Sequence, residues 1–168
     1  NEYLHLNESD AVVDSGAATS QFTGVSSTNI TLGSNSNSNN NGSDVVAYVW
    51  RSVPGYSKFG SYLGNGNANG TFVYLGFKPA WIMVKQNNST GGWIICDNTR
   101  SPFNPIDKLL SANITNSEST FTSLDILSNG FKQRNTDTGY NGNGSTYVYM
   151  AFAEHPFLGD GVNPCTAR

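Results

Sequence analysis

A ten-residue segment that occurs twice is the feature that most constrains the fold of this chain. Residues 41–50 read NGSDVVAYVW, and residues 143–152 read NGSTYVYMAF. Each copy follows a loop rich in Asn, Gly, Ser and Thr and opens an apolar run of the kind that forms strands. A repeat on this scale indicates a modular β architecture built from copies of one unit. We therefore expect function to lie on surfaces that the repeated units form, rather than in a single catalytic site.

The two copies predict a division of the chain into two parts. Residues 1–53 are interpreted as the rear part of a first repeat, which either folds alone or packs with the second. Residues 54–168 are interpreted as a complete second repeat, and Pro54-Gly55 marks the boundary. The chain starts at Asn1 rather than Met, which indicates a processed chain, a truncated one, or one segment of a longer polypeptide.

The composition indicates a β-rich fold with many turns. Charged residues are 12% of the chain, about half the usual share, and polarity comes from Asn, Ser, Thr and Gly, which suit turns and strands. The chain is therefore predicted to be all-β, an antiparallel β-sandwich of jelly-roll-like order with long Asn/Gly/Ser loops. The predicted strands are 11–14, 21–25, 29–32, 45–50, 56–63, 71–76, 81–85, 92–97, 120–126, 130–134 and 146–153.

At most one short helix is expected, over 105–111, because Pro105 suits the first turn of a helix, where its missing N–H does no harm. Residues 33–43 contain only Ser, Asn and Gly and are predicted to be an exposed loop. Residues 64–70 are predicted to be a hairpin loop between two aromatic strands. Trp50 and Trp81 are interpreted as core residues.

Several classes of function are excluded or disfavoured by the sequence. The nine Lys and Arg residues are scattered, so no basic stripe indicates nucleic-acid binding. No run of about 18 apolar residues predicts a transmembrane helix, and no membrane insertion is expected. Cys96 is predicted to be a buried free thiol, and a disulfide with Cys165 in the tail is the less favoured alternative.

The acidic residues and histidines do not form a recognisable catalytic pattern. Sugar hydrolysis needs two carboxylates across a cleft, but the acids are scattered and no Glu-x-Asp-x-x-Glu strand is present. His5 and His155 lie near the ends of the chain, outside any nucleophile motif. The chain is therefore predicted not to be an enzyme, and a sandwich-fold glycosidase remains a third interpretation.

No cofactor is expected, with one weaker alternative. The loop 135–145 offers many side-chain oxygens, which Ca²⁺ prefers, but it contains a single carboxylate, Asp137. A solvated loop is the favoured interpretation, and calcium in this loop is the alternative.

Four residues are candidates for binding at the surface. Aromatic rings stack on the apolar faces of sugars, while Asp and Arg side chains bond sugar hydroxyls. Trp93 follows two glycines and leads toward Asp97 and Arg100. Tyr140 lies in an Asn/Gly loop and is the aromatic side chain most strongly expected to be exposed.

Five further segments carry a family resemblance. They read VPGYSKFGSY at 53–62, GFKPAWIMVK at 76–85, DNTRSPFN at 97–104, LSNGFK at 127–132 and YMAFAE at 149–154. Together they resemble a domain of unknown function that occurs in tandem in virion proteins of tailed phages, cyanophages especially. The resemblance implies the C-terminal region of a tail-fibre-like or particle-surface protein, and it implies no enzyme activity and no binding residues.

The resulting hypothesis is a non-enzymatic phage virion structural protein, a tail fibre or a surface decoration, located on the extracellular particle. Expected partners are further copies of the chain, with a trimer favoured, and other virion proteins. Attachment to host-surface glycans is a further hypothesis, with loops 33–43, 64–70 and 135–145 as the first places to look. The alternative is a secreted carbohydrate-binding module of a bacterial enzyme, which predicts an exposed aromatic row.

Overall fold

The computed structural model describes residues 2–14, 16 and 20–156. They fall into two compact units, one drawn from residues 2–5, 12–14, 16 and 20–50 and the other from 6–11 and 51–156. Regular structure is almost entirely antiparallel β, which confirms the predicted fold class. The interpretation of these two parts as one partial and one complete repeat stays a prediction.

The first unit contains two small antiparallel pairs of strands. Strands β1 (Glu2–Tyr3) and β2 (Val13–Asp14) form one pair, and β3 (Phe22–Val25) and β4 (Ile30–Leu32) form the other. Every residue of β3 is exposed. Strand β3 therefore presents the apolar side chains of Phe22 and Val25 at the surface.

A four-residue helix, α1 (Ser36–Asn39), lies within the segment predicted to be only a loop. The side chain of Asn35 caps it by accepting a hydrogen bond from the backbone N–H of Asn37 at 2.9 Å. Asn is among the favoured N-cap residues because its side-chain oxygen satisfies a free helix N–H. The prediction of a plain loop over 33–43 was wrong at these four positions.

Residues 45–50 form no strand, although their pattern predicts one. A strand is stabilised by the ladder hydrogen bonds of its neighbours, and this segment has no strand partner among the described residues. Trp50 was predicted to be a core residue, but 55% of its surface is exposed. The apolar pattern of residues 45–50 resembles that of a strand, but such a pattern does not show whether a neighbouring strand is present to pair with it.

The second unit is built on one eight-stranded antiparallel sheet. Its strands are β5 (Ser57–Leu63), β6 (Phe72–Tyr74), β7 (Pro79–Gln86), β8 (Trp93–Asp97), β9 (Ile106–Ser111), β10 (Ser119–Leu127), β11 (Gly130–Gln133) and β12 (Thr146–Ala153). The order is β5-β12-β7-β8-β9-β10-β11-β6, so β7 to β11 form a meander and β12 lies between β5 and β7.

The two edges of this sheet approach each other and nearly close it. Lys58 Nζ on β5 donates to the Tyr74 carbonyl on β6 at 2.7 Å. Thr71 Oγ1, just before β6, donates to the Leu63 carbonyl at the end of β5, also at 2.7 Å. Side chains thus bridge edge backbone groups that would otherwise be open to another chain.

The core lies inside the curved sheet. Its buried members are Tyr62, Val73, Leu75, Phe77, Ile82, Val84, Cys96, Ile106, Leu109, Leu124, Ile126, Phe131, Tyr147, Tyr149 and Ala151. The predicted alternation of β12 is confirmed, because Tyr147, Tyr149 and Ala151 face the core. Trp81, also predicted to be core, is half-buried outside this cluster and packs against Phe152 with ring centroids 5.8 Å apart.

The helix predicted over 105–111 was wrong, because these residues contain strand β9. Strands β8 and β10 pair with β9 on its two sides and satisfy its backbone groups. Ile106 and Leu109 are each buried in the core. Pro105 directly precedes the strand, and the start of a strand tolerates proline as well as the start of a helix does. Among the described residues, no helix has the length and apolar character of a membrane span.

Candidate functional site

A buried asparagine joins two of the predicted loops in the second unit. Asn141 is fully buried. Its side-chain amide donates to Asn65 Oδ1 at 2.9 Å, to the Asn67 carbonyl at 2.8 Å and to the Asn135 carbonyl at 2.8 Å. Its Oδ1 accepts from the Asn65 backbone N–H at 3.1 Å. Loops 64–70 and 135–145 are therefore fixed to each other through one side chain.

Tyrosines at the ends of the strands extend this network. The Tyr62 hydroxyl donates to the Tyr140 carbonyl at 2.6 Å and accepts from Gln133 Nε2 at 2.9 Å. The Tyr147 hydroxyl donates to the Thr138 carbonyl. Burial, and then the neighbouring Tyr147 hydroxyl, raise the pKa of Tyr62 well above its usual value. The phenol thus stays protonated and acts as a hydrogen-bond donor to the loop.

The oxygens of the predicted calcium loop hold the loop's own backbone. Asn135 Oδ1 accepts from the Asp137 N–H at 2.9 Å, and Asp137 Oδ1 accepts from the Gly139 N–H at 2.7 Å. Within the described part of the chain, no three His, Cys, Asp or Glu side chains cluster in a way that suits a metal ion. The expectation of no cofactor, with calcium at 135–145 as the weaker alternative, stays a prediction.

Asp97 and Arg100, two of the four candidate residues, form an ion pair at the end of β8. Arg100 Nε lies 2.6 Å from Asp97 Oδ2, and the backbone N–H groups of Thr99 and Arg100 donate to Asp97 Oδ1. Burial alone would raise the pKa of Asp97, but these hydrogen bonds and the Arg100 charge outweigh it and lower the pKa. Arg100 also contacts Glu118 Oε2 at 3.2 Å. Both charges therefore stabilise the turn.

Trp93 and Tyr140 are each half-buried, and they lie in different places. Trp93 begins β8, where its backbone N–H donates to Asn113 Oδ1 at 3.0 Å. Tyr140 stacks on Phe121 of β10, with ring centroids 5.7 Å apart. Tyr140 was expected to be exposed, but it is half-buried because Phe121 and the core cover part of it. The binding role of the four candidates stays a prediction.

The most exposed aromatic pair lies in the first unit. Tyr48 and Trp50 are 76% and 55% exposed, and their rings stack with centroids 6.0 Å apart and planes 24° apart. Residues two apart in an extended chain point to the same side, which brings the rings together. We call this pair the aromatic platform.

The aromatic platform borders a cleft of about 640 Å³. The cleft is lined by Gln21, Phe22, Ile30, Leu32, Asn37, Ser38, Val45, Val46, Ala47, Tyr48, Val49 and Trp50. None of these residues carries a charge. The cleft therefore combines apolar and aromatic walls with a few neutral polar groups, which is the usual chemistry of small-molecule sites.

Sequence reasoning missed this platform, although the repeat contains a signal for it. Alignment of the two copies places Tyr48 opposite Met150 and Trp50 opposite Phe152. Met150 and Phe152 are on the face of β12 that points away from the core. Larger aromatic residues at outward positions of the first copy indicate a surface role rather than a core role.

Comparison with known proteins gives one family match. The model of a domain of unknown function (DUF7483) matches residues 1–156 and so spans both units. The comparisons with curated proteins and with solved structures gave no match.

Proposed function

We propose, from the premise that this chain belongs to the DUF7483 family of domains of unknown function, that it is a non-enzymatic structural protein of a phage particle. It would form part of a tail fibre or of a surface decoration, displayed on the outside of the virion. The family membership identifies a domain of unknown function, and the phage setting comes from the sequence resemblance described above.

The observation that carries this proposal is the network around Asn141. Loops are usually the mobile parts of a domain, but here loops 64–70 and 135–145 are tied together by buried amide and tyrosine groups. The polar side chains of these loops form hydrogen bonds within the protein and stabilise its structure. The Asp97–Arg100 ion pair does the same. A rigid module of low charge with fixed loops suits the exterior of a particle.

A particle-level experiment tests this proposal. Virions of a phage that encodes the chain are purified through a density gradient, and their proteins are identified by mass spectrometry. Antibodies against the recombinant chain then label intact particles for electron microscopy. We expect the chain in the particle fraction, with label on fibres or on the capsid surface. A chain found only in the soluble lysate contradicts the proposal.

Assembly with further copies of the chain, with a trimer favoured, is part of the proposal. Low charge and aromatic-rich strands support it, since both are common at interfaces between identical subunits. Native mass spectrometry of the recombinant chain measures the copy number directly. A chain that is monomeric at all concentrations contradicts the proposed oligomer. It does not affect the proposed location in the particle, which the virion experiment tests.

A secreted carbohydrate-binding module of a bacterial enzyme is the second candidate, and the aromatic platform favours it. Tyr48 and Trp50 expose their rings beside a neutral cleft. The two candidates differ in where the chain is found. A secreted module occurs in culture supernatant without particles, whereas a virion protein sediments with them.

A further inference from the structure

We propose that the cleft beside Tyr48 and Trp50 binds neutral sugar residues of a glycan, with a pyranose ring stacked on the aromatic platform. This inference rests on the proposed function, because it names the site and the ligand class through which a surface protein of this kind attaches to a host. The site lies wholly within the first unit, and part of its lining, Asn37 and Ser38, belongs to the loop 33–43 that the sequence indicates for attachment.

The aromatic platform provides the apolar part of such a site. Its two rings are roughly parallel, at 24°, and both are more than half exposed. The exposed parts of aromatic rings are costly to keep in water and gain from contact with C–H groups. One face of a pyranose ring is lined with C–H groups, whereas its edge is lined with hydroxyls.

Two free amide groups provide the polar part. Gln21 and Asn37 both line the cleft. Ser38, the third polar lining residue, already donates to the Gln21 carbonyl, but neither amide side chain hydrogen-bonds to another described residue. Each amide offers two donors and one acceptor. This is the set of groups that pairs with sugar hydroxyls, and it lies beside the aromatic platform.

The charge of the lining decides which sugars fit. No lining residue is charged, so nothing in the cleft pairs with a carboxylate, sulfate or phosphate group. An unpaired charge taken out of water is strongly disfavoured. The cleft therefore selects neutral hexoses rather than uronic or sialic acids. Its volume of about 640 Å³ is within the usual range of small-ligand sites.

Binding is tested on the full chain with neutral oligosaccharides. Glucan, mannan and galactan fragments are titrated into the protein by calorimetry, with polygalacturonic acid fragments as a charged comparison. We expect binding of at least one neutral series and none of the charged one. Trp50→Ala and Tyr48→Ala should each weaken that binding on the order of tenfold, as for other aromatic anchors. The Gln21→Ala, Asn37→Ala double variant should weaken it several-fold.

Tyr74→Ala is the matched control. Tyr74 is also an exposed tyrosine, at 59%, but it lies on β6 in the second unit with Lys58 Nζ 5.2 Å from its ring centroid. It should leave sugar binding unchanged. Circular dichroism and thermal unfolding of each variant, compared with the unchanged chain, check that both units remain folded.

Three outcomes overturn the inference. The first is that no neutral oligosaccharide series binds at millimolar concentration. The second is that Trp50→Ala and Tyr48→Ala both bind sugar as well as the unchanged chain does. The third is that these variants dissociate an oligomer and leave sugar binding unchanged. The last outcome would make the segment an interface between copies. If the chain is found in virions but binds no sugar, this inference fails and the particle proposal stands. If the chain binds sugar but is absent from virions, the particle proposal fails and this inference stands.

Discussion

The side-chain amide of Asn141 donates a hydrogen bond to Oδ1 of Asn65 at 2.9 Å, across 76 positions of sequence. Asn65 returns the contact, because its backbone N–H donates to Asn141 Oδ1 at 3.1 Å. Two loops that are far apart in the chain thus hold each other by reciprocal bonds. A buried polar group of this kind rigidifies a structure when all its bonds are made and is costly when they are not.

Replacement of Asn141 should therefore destabilise the second unit. Asn141→Ala removes the amide contacts to Asn65, Asn67 and Asn135 and leaves the buried Asn135 carbonyl without this donor, which should lower the free energy of unfolding by about 2–4 kcal/mol. Urea unfolding followed by far-ultraviolet circular dichroism measures the loss. Asn69→Ala, at an exposed position of the same loop, should change stability by less than about 0.5 kcal/mol. Equal stability of the two variants would show that the network contributes nothing.

Much of the second unit follows from local pattern. The alternation of Tyr147, Tyr149 and Ala151 predicted β12 with the bounds that the structure shows. Such a pattern is local, because side chains of a strand alternate between two faces. Residues 45–50 have a similar pattern and form no strand, and residues 105–111 were predicted to be a helix and contain β9. In both segments, whether a strand forms depends on the presence of neighbouring strands. The local sequence pattern does not show this.

The candidate site was harder to predict than the fold. Asn141 is one of many asparagines in loops of similar composition, and its burial results from contact with Asn65 and Asn67. Those contacts depend on how β5, β11 and β12 are arranged in the sheet. Asp97 and Arg100 were predicted to bind at the surface, and that role stays a prediction. In the structure they pair with each other and stabilise their own turn. Exposure of Trp50 could be inferred only by comparing the two copies of the repeat.

Gly130 should tolerate no side chain. A Cβ atom there would lie 2.1 Å from the Val73 carbonyl oxygen on β6, where β11 and β6 pair. Gly130→Ala forces the two backbones apart, and we expect a loss of about 1–3 kcal/mol in unfolding free energy. Chemical denaturation measures it. At Gly91 a Cβ would make only ordinary contacts of 3.7 Å with the Gln86 side chain, so Gly91→Ala should be close to neutral. A neutral Gly130→Ala contradicts the observed pairing.

The Asp97–Arg100 pair should make stability fall in acid. The pKa of Asp97 is lowered from 3.8 in the folded chain, so its contribution is full above about pH 3.8 and is lost as the pH falls through the folded value. Its side chain is 17% exposed, and for a pair of this kind we expect about 1 kcal/mol. Asp97→Asn should remove that part of the acid dependence, as measured by urea unfolding from pH 7 to pH 2.5. An unchanged pH profile contradicts the assignment.

The thiol of Cys96 should be unreactive and should make stability fall in alkali. Cys96 is 1% exposed, its Sγ lies 3.8 Å from Ser123 Oγ, and burial raises its pKa from 9.0 to about 12. Below about pH 9 its contribution to stability is full, and it is lost as the pH rises toward about 12, because the unfolded thiol ionises first. In a Cys165→Ser background, thiol reagents at pH 9 should label Cys96 only as fast as the chain unfolds. Cys96→Ala should flatten the alkaline loss, leaving the part that comes from buried tyrosines such as Tyr62. Rapid labelling under native conditions would contradict the burial of this side chain.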